Sequence, residues 1–115
     1  MEQRHVTAII LAAGSGSRMG SKITKQRISI HGESLLKRSV KAFSGCEKIT
    51  DIILVCRSDE IDWARGEISS FPKVSAVISG GKTRAESAKI GFSYISENAE
   101  YVAIVYVYHD RLSGT

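Results

Sequence analysis

Apolar residues fall along this chain in short unbroken runs, separated by stretches in which they recur every three or four positions. Val6 to Leu11 (VTAIIL) is nearly continuous in apolar side chains, the pattern of a strand buried on both faces of a parallel sheet. A long loop is expected from Ala12 to about Gly32, with Arg27 to His31 (RISIH) alternating polar and apolar as a short extended piece. From Ser34 the period becomes helical. Leu35, Leu36, Ser39, Val40 and Phe43 share one face, Ser34 can cap the start, and Gly45 can end the helix. Ile52 to Cys56 (IILVC) repeats the buried-strand pattern. Ser58 then offers a cap for a helix to about Ser69 with Ile61, Ala64 and Ile68 inward, closed by Phe71-Pro72. Val74 to Ile78 predicts a third strand. After Gly80-Gly81, Thr83-Arg84-Ala85-Glu86 has the form of a capping box, opening a helix with Ala88, Gly91, Phe92 and Ile95 inward. Tyr101 to Tyr108 (YVAIVYVY) predicts a fourth strand.

Strands alternating with helices over short connections predict an α/β fold: a Rossmann-like, doubly wound, mainly parallel sheet with helices on both faces. Right-handed crossovers then bring the carboxyl ends of all strands to one edge, where such folds bind ligands. Gly14 to Gly20 and Gly80-Gly81 both follow strands directly and so belong to that edge. Residues 1–115 read as a single domain, expected to be incomplete at its carboxyl end because the sheet stops after about four strands. The last strand then presents a very apolar edge that invites association.

Composition narrows the partners. With 43% hydrophobic and 24% charged residues the chain is of ordinary globular type, neither disordered nor fibrous. No apolar run approaches the ~18 residues of a membrane span, and Met1 to His5 does not resemble a signal peptide, so the expected location is the cytoplasm with no membrane partner. The formal charge of +4 suits an anion. Its distribution is more telling: between Gly14 and Lys41, the cations Arg18, Lys22, Lys25, Arg27, Lys37, Arg38 and Lys41, with His31, face the single acid Glu33. No recognition helix, zinc pattern or aromatic platform accompanies them, so no nucleic-acid partner is expected. Cys46 and Cys56 lack metal-ligand spacing and are expected to be reduced, structural thiols. His5 and His31 have no sequence partner that suggests a role, and Trp63, Phe43 and Phe92, at helical spacing, are expected to pack.

The segment LAAGSGSRMG carries only small residues from Ala12 to Ser17, so its backbone can approach an anion and present N–H groups to it. It is not a P-loop, since Gly20 is followed by Ser21-Lys22 rather than Gly-Lys-Ser/Thr. Nor is it a dinucleotide fingerprint: the spacing is G-x-G-x-x-x-G, and the second strand ends in Cys56-Arg57 without the ribose-binding acid.

What it resembles is the loop of nucleotidyltransferases that join a sugar or polyol phosphate to a nucleoside triphosphate, A-(A/G)-G-x-G-x-R-M followed by Lys-Gln. Here Ala12-Ala13-Gly14-Ser15-Gly16-Ser17-Arg18-Met19 is followed by Lys25-Gln26. Within that group, Ala-Ala, Arg-Met and Lys-Gln are similar to the 2-C-methyl-D-erythritol 4-phosphate cytidylyltransferase family. Gly80-Gly81-Lys82-Thr83-Arg84-Ala85-Glu86-Ser87 resembles that family's second segment, G-G-x-x-R-x-x-S. The resemblance covers Val6 to about Ile104.

It implies transfer of a cytidylyl group from CTP to a polyol phosphate, with Mg²⁺ or another divalent cation shared among the phosphates. Arg18 and Lys25 would be catalytic. Ala12, Ala13, Gly14, Ser15, Gly16, Gly80, Gly81, Thr83, Arg84 and Ser87 would hold the nucleotide. Ribitol 5-phosphate cytidylyltransferases share both motifs and stay open as an alternative, as does a non-catalytic nucleotide-binding fragment.

The family's fourth strand ends in His-Asp, then small residues and Arg-Pro. Here Val105-Tyr106-Val107-Tyr108 intervenes before His109-Asp110, and Arg111-Leu112-Ser113-Gly114-Thr115 follows; Asp110 is the expected metal ligand. Thr24 stands where a proline usually precedes Lys-Gln, and Arg27 where an aromatic usually follows it. Family members are homodimers that continue for about as much sequence again. That half supplies a dimerisation arm and acceptor-binding cations, both expected to be missing here, so weak CTP binding without turnover is expected of this chain.

Overall fold

A computed structural model describes residues 4–12, 29–30 and 32–106. Along the chain these form β1 (Val6–Leu11), β2 (Ser29–Ile30), β3 (Glu33–Ser34), α1 (Leu35–Ser44), β4 (Asp51–Cys56), α2 (Ile61–Glu67), β5 (Val74–Ser79), α3 (Arg84–Phe92) and β6 (Tyr101–Tyr106). A four-stranded sheet runs in the order β5-β4-β1-β6, and all three pairings are parallel. β2 and β3 make a separate antiparallel pair. Its turn contains Gly32, whose φ of 85° lies in the left-handed region that glycine enters without penalty.

The continuous apolar runs sit at the centre because both faces of β1 and β4 are covered. Ala8, Ile10, Ile52 and Leu54 face α1 and α2, where Leu36, Val40, Ala64 and Ile68 meet them. Ile9, Leu11, Ile53 and Val55 face the other way, toward Ala88 and Ile95 around α3. Fully burying side chains such as Leu36 and Val40 stabilises the fold by about 1.5–3 kcal/mol each. On the second face α3 is drawn close to the sheet: a Cβ added to Gly91 would lie 2.8 Å from Ile9 Cγ2. Among the described residues no helix is long and apolar enough to cross a membrane.

Helix α1 starts and stops as its sequence predicts. Ser34 Oγ accepts the Lys37 N–H at 3.1 Å and donates to Glu67 Oε1 at 2.6 Å, tying α1 to α2; Gly45 is the carboxyl cap. Four expectations are corrected. The helix expected from Ser58 opens instead as a 3₁₀ turn over Ser58–Glu60 and gives an α-helix only over Ile61–Glu67. Ser58 makes no cap bond because the cap position belongs to Arg57, without a side-chain cap bond. Phe92, expected inward, is 47% exposed: it ends α3, whose sheet-facing positions are taken by Ser87, Ala88 and Gly91. Phe43 and Trp63 do pack against the core. His5 has a partner after all, its Nε2 lying 3.3 Å from Asp51 Oδ1, which also accepts from the buried Thr7 hydroxyl at 2.7 Å. These bonds fasten β1 to β4 at the amino edge of the sheet.

Candidate functional site

The strand order places the switch point of the fold at β1. From β1 the chain winds through α1 to β4 and through α2 to β5. It then returns by α3 to β6 on the other side of β1. A crevice outside the carboxyl ends of β1 and β6 is where such a sheet binds ligands. The second motif lies at that edge, and Ala12, which opens the first, ends β1 there. Ala12, the last described residue before the glycine loop, is buried, and its N–H donates to the Val55 carbonyl at 2.7 Å, so β1 keeps its sheet bonding up to the point where the loop departs. The expected nucleotide-binding Ala13, Gly14, Ser15 and Gly16, the expected catalytic Arg18 and Lys25, and the expected metal ligand Asp110 lie outside the described residues.

The second motif is described in full. Gly80 N–H donates to the Cys56 carbonyl at 2.8 Å, anchoring the turn to β4. Gly81 N–H donates to Ser87 Oγ at 3.1 Å. Thr83 caps α3, its Oγ1 accepting the Glu86 N–H at 3.0 Å. Glu86 reaches back, but past the cap: its Oε1 accepts the Lys82 N–H at 2.7 Å, where a capping box bonds the cap residue itself. Gly81 is required by this arrangement, because a Cβ there would meet Glu86 Cβ and Oε1 at 2.6 Å each. Ser87 is fully buried, so in this conformation its hydroxyl holds the Gly80–Gly81 turn from beneath. Arg84 is exposed and lies over the Tyr106 ring, its Cζ 4.9 Å from the centroid. The motif therefore spans the carboxyl edge from the end of β5 to the end of β6.

One residue at this edge carries a role that no spacing rule assigns: Tyr106, the floor beneath Arg84. Tyr106 pairs in register with Leu11 of β1, at the level where the family pattern calls for its His-Asp. The signal was the strand-like run itself, in which an aromatic at the carboxyl end looks like any other strand residue.

The electrostatics divide the edge. Arg57, just after β4, is committed to Asp59 through a forked pair at 3.1 and 3.0 Å, and that bond raises its pKa further. Lys82 and Arg84 are exposed. Burial, and then the nearby charge of Glu60, push the Cys56 thiol up to about 11, which excludes it as a nucleophile near neutral pH. Both cysteines are free, Cys46 exposed and Cys56 buried. Among the described residues no group of three His, Cys, Asp or Glu could hold a metal ion. The acids closest in sequence to the edge, Asp59 and Glu86, are bonded to Arg57 and to Lys82 N–H. The described residues alone therefore do not fit a resident metal centre. One open cleft, lined by Arg4, His5, Glu47, Ile49, Thr50 and Lys73, lies at the opposite, amino edge and away from both motifs.

Comparison with known proteins agrees with this geometry. A chain from Lachnospira eligens described as 2-C-methyl-D-erythritol 4-phosphate cytidylyltransferase is 44% identical over 100 residues, which are 85% of this chain and 44% of that one. Another so described, from Clostridium perfringens, is 45% identical over 85 residues, 71% of this chain and 37% of the relative. The chain thus spans less than half the length of these relatives. The crystal structure of 4-diphosphocytidyl-2C-methyl-D-erythritol synthase from Anaerococcus prevotii superposes with a TM-score of 0.74 at 27% identity, covering 90% of this chain and 43% of that one. A Mycobacterium tuberculosis protein crystallised with manganese shares the fold at a TM-score of 0.58 and 16% identity. The model of one family, 2-C-methyl-D-erythritol 4-phosphate cytidylyltransferase, matches residues 6–111, and the chain belongs to that family.

Proposed function

We propose that this chain is the nucleotide-holding part of a cytidylyltransferase that joins CTP and 2-C-methyl-D-erythritol 4-phosphate, giving 4-diphosphocytidyl-2-C-methyl-D-erythritol and diphosphate for isoprenoid precursor synthesis in the cytoplasm. The observation that carries this reading is the built turn from Gly80 to Ser87 at the switch point, within a family match that runs from residue 6 to residue 111. An oxygen of the acceptor phosphate attacks the α-phosphorus of CTP, and the bond from that phosphorus to the bridging oxygen breaks as diphosphate leaves. No covalent enzyme intermediate is required.

In such an in-line displacement the protein mainly aligns the reactants and neutralises charge. Arg18 and Lys25 are the proposed cations at the α-phosphate. The loop from Ala12 to Gly16 and the segment Gly80, Gly81, Thr83, Arg84 and Ser87 are the proposed nucleotide cradle. Within it Arg84 is an exposed donor beside the crevice, and Ser87 acts from beneath by fixing Gly81. Asp110 is the residue proposed to hold a divalent cation, which would supply charge neutralisation at the phosphates.

The test is calorimetric titration of the 115-residue chain with CTP, ATP and GTP in magnesium buffer, followed by an assay for cytidylyl transfer. Binding selective for CTP without turnover is expected. Equal affinity for all three nucleotides, or none, would refute the nucleotide reading. In an intact relative carrying the same loop, changing the arginine or lysine equivalent to Arg18 or Lys25 to alanine is expected to cost ~3 kcal/mol of barrier. That is about a hundredfold in turnover number, with little change in CTP affinity.

A further inference from the structure

Arg57 and Arg84 both stand at the carboxyl edge of the sheet, and the fold holds them by different means. Arg57 spends its fork: Nε and one terminal nitrogen donate to the two oxygens of Asp59 at 3.1 and 3.0 Å. A guanidinium bound this way has its charge matched and its best-aligned donors occupied. Arg84 is held by a ring. Its Cζ lies 4.9 Å from the centroid of Tyr106, within the range at which the electron-rich face of an aromatic side chain attracts a cation. That attraction uses no acceptor oxygen and cancels no charge. It fixes where the guanidinium sits while leaving its N–H donors for a ligand.

The chain brings the ring to this place from the strand side and the cation from the helix side. Tyr106 is in parallel register with Leu11, whose side chain belongs to the α3 face of the sheet, so the Tyr106 ring stands on that face as well. Leu11 is followed by Ala12, which opens the glycine loop. Arg84 is the first residue of α3, directly after the Gly80–Gly81 turn that the Cys56 carbonyl and the Ser87 hydroxyl fix in position. The backbones on both sides are therefore anchored, and what is left to order is the long Arg84 side chain. It is exposed to solvent, where a side chain of this length otherwise spreads over many rotamers.

Resting on the nucleotide reading above, we infer that Tyr106 is a positioning residue for that site. Its ring holds Arg84 at the mouth of the crevice with donors free for an anionic oxygen of the bound nucleoside triphosphate. The ring face does this, not the phenolic hydroxyl, and it acts through Arg84 rather than on the reacting atoms.

Calorimetric titration with CTP tests the role through a ranked series. Tyr106→Phe and Tyr106→Trp keep the aromatic face and are expected to bind CTP as tightly as the unaltered chain. Tyr106→Leu, an apolar side chain without that face, is expected to weaken binding about two- to fivefold, the range an exposed cation–π contact supports. In an Arg84→Gln background binding starts weaker, and Tyr106→Leu is expected to change it no further. Without nucleotide, the Arg84 δ-protons should resonate upfield in the unaltered chain and in Tyr106→Phe, through the ring current, and lose that shift in Tyr106→Leu. If Tyr106→Leu does not fold, phenylalanines of increasing ring fluorination at position 106 keep the ring while emptying its face of charge, and CTP affinity should fall stepwise along them. A flat fluorination series overturns the positioning role. So does CTP binding that is equal in Tyr106→Leu, a Leu variant whose loss persists undiminished beside Arg84→Gln, or a Phe variant as weak as the Leu one. Each of these leaves the nucleotide reading standing, whereas failure of the unaltered chain to bind CTP overturns both.

Discussion

Cys56 illustrates how one position in the core sets a measurable property. It ends β4 at 2% exposure, and burial holds its thiol protonated up to about pH 11. In the unfolded chain the same thiol ionises near 9. Between those values the unfolded state has already released a proton that the folded state keeps, so stability falls as pH rises from about 9 to 11, by up to ~1.4 kcal/mol per pH unit from this group. Below 9 the contribution is complete. Urea titrations across that window should show the decline, and Cys56→Ala should flatten it. A second expectation follows from accessibility. Near pH 8 a thiol reagent should modify Cys46 rapidly and Cys56 only after denaturant is added. At the same scale, Ser87 and Glu86 show what a motif leaves unsaid. The spacing G-G-x-x-R-x-x-S places a serine and an arginine in a first helical turn, but which one is buried depends on how α3 meets the sheet. That is a tertiary fact, and Ser87 beneath the turn with Arg84 above Tyr106 follows from it.

Among the elements, α3 is the most tightly constrained, because Gly91 lets it approach Ile9 and Val55. Gly91→Ala would gain about 1 kcal/mol of helix propensity. The new methyl would meet Ile9 Cγ2 at 2.8 Å, and overpacking of this kind costs typically ~1–3 kcal/mol. A lowered melting temperature is therefore expected, where propensity alone predicts a raised one. Gly81→Ala should likewise destabilise by forcing Glu86 off Lys82 N–H, and should weaken CTP binding in the titration described above. The elements themselves were legible to within a residue or two where the signal was long and local: β1, α1 with its Ser34 and Gly45 caps, and β4. Legibility failed where short-range competition decided the outcome. Ser58 to Glu60 tightened into a 3₁₀ turn, and Phe92 fell just past the last turn that the sheet covers. The pairing of β2 with β3 and the bend in register between Ile52 and Ile53 depend on partners that a single strand's pattern does not name.

At the scale of the molecule, the sheet has a protected middle and two different borders. β1 and β4 are buried over nearly their whole length, β5 is half-buried, and β6 alternates between exposed and half-buried residues. Amide hydrogen exchange should follow that order, slowest for Ile9, Ile10, Ile53 and Leu54 and faster outward. Strand order has a further consequence, for synthesis. The contact of β1 with β4 joins residues about 44 apart, as in Thr7 and Asp51, but β6 meets β1 only across Val6 and Tyr101. At ~5–20 residues per second, the first strand to leave the ribosome waits several seconds for the last. During that interval the central strand of the finished fold is itself an edge. The partner that takes its open side therefore decides whether the nascent chain closes its own crevice or is captured by another.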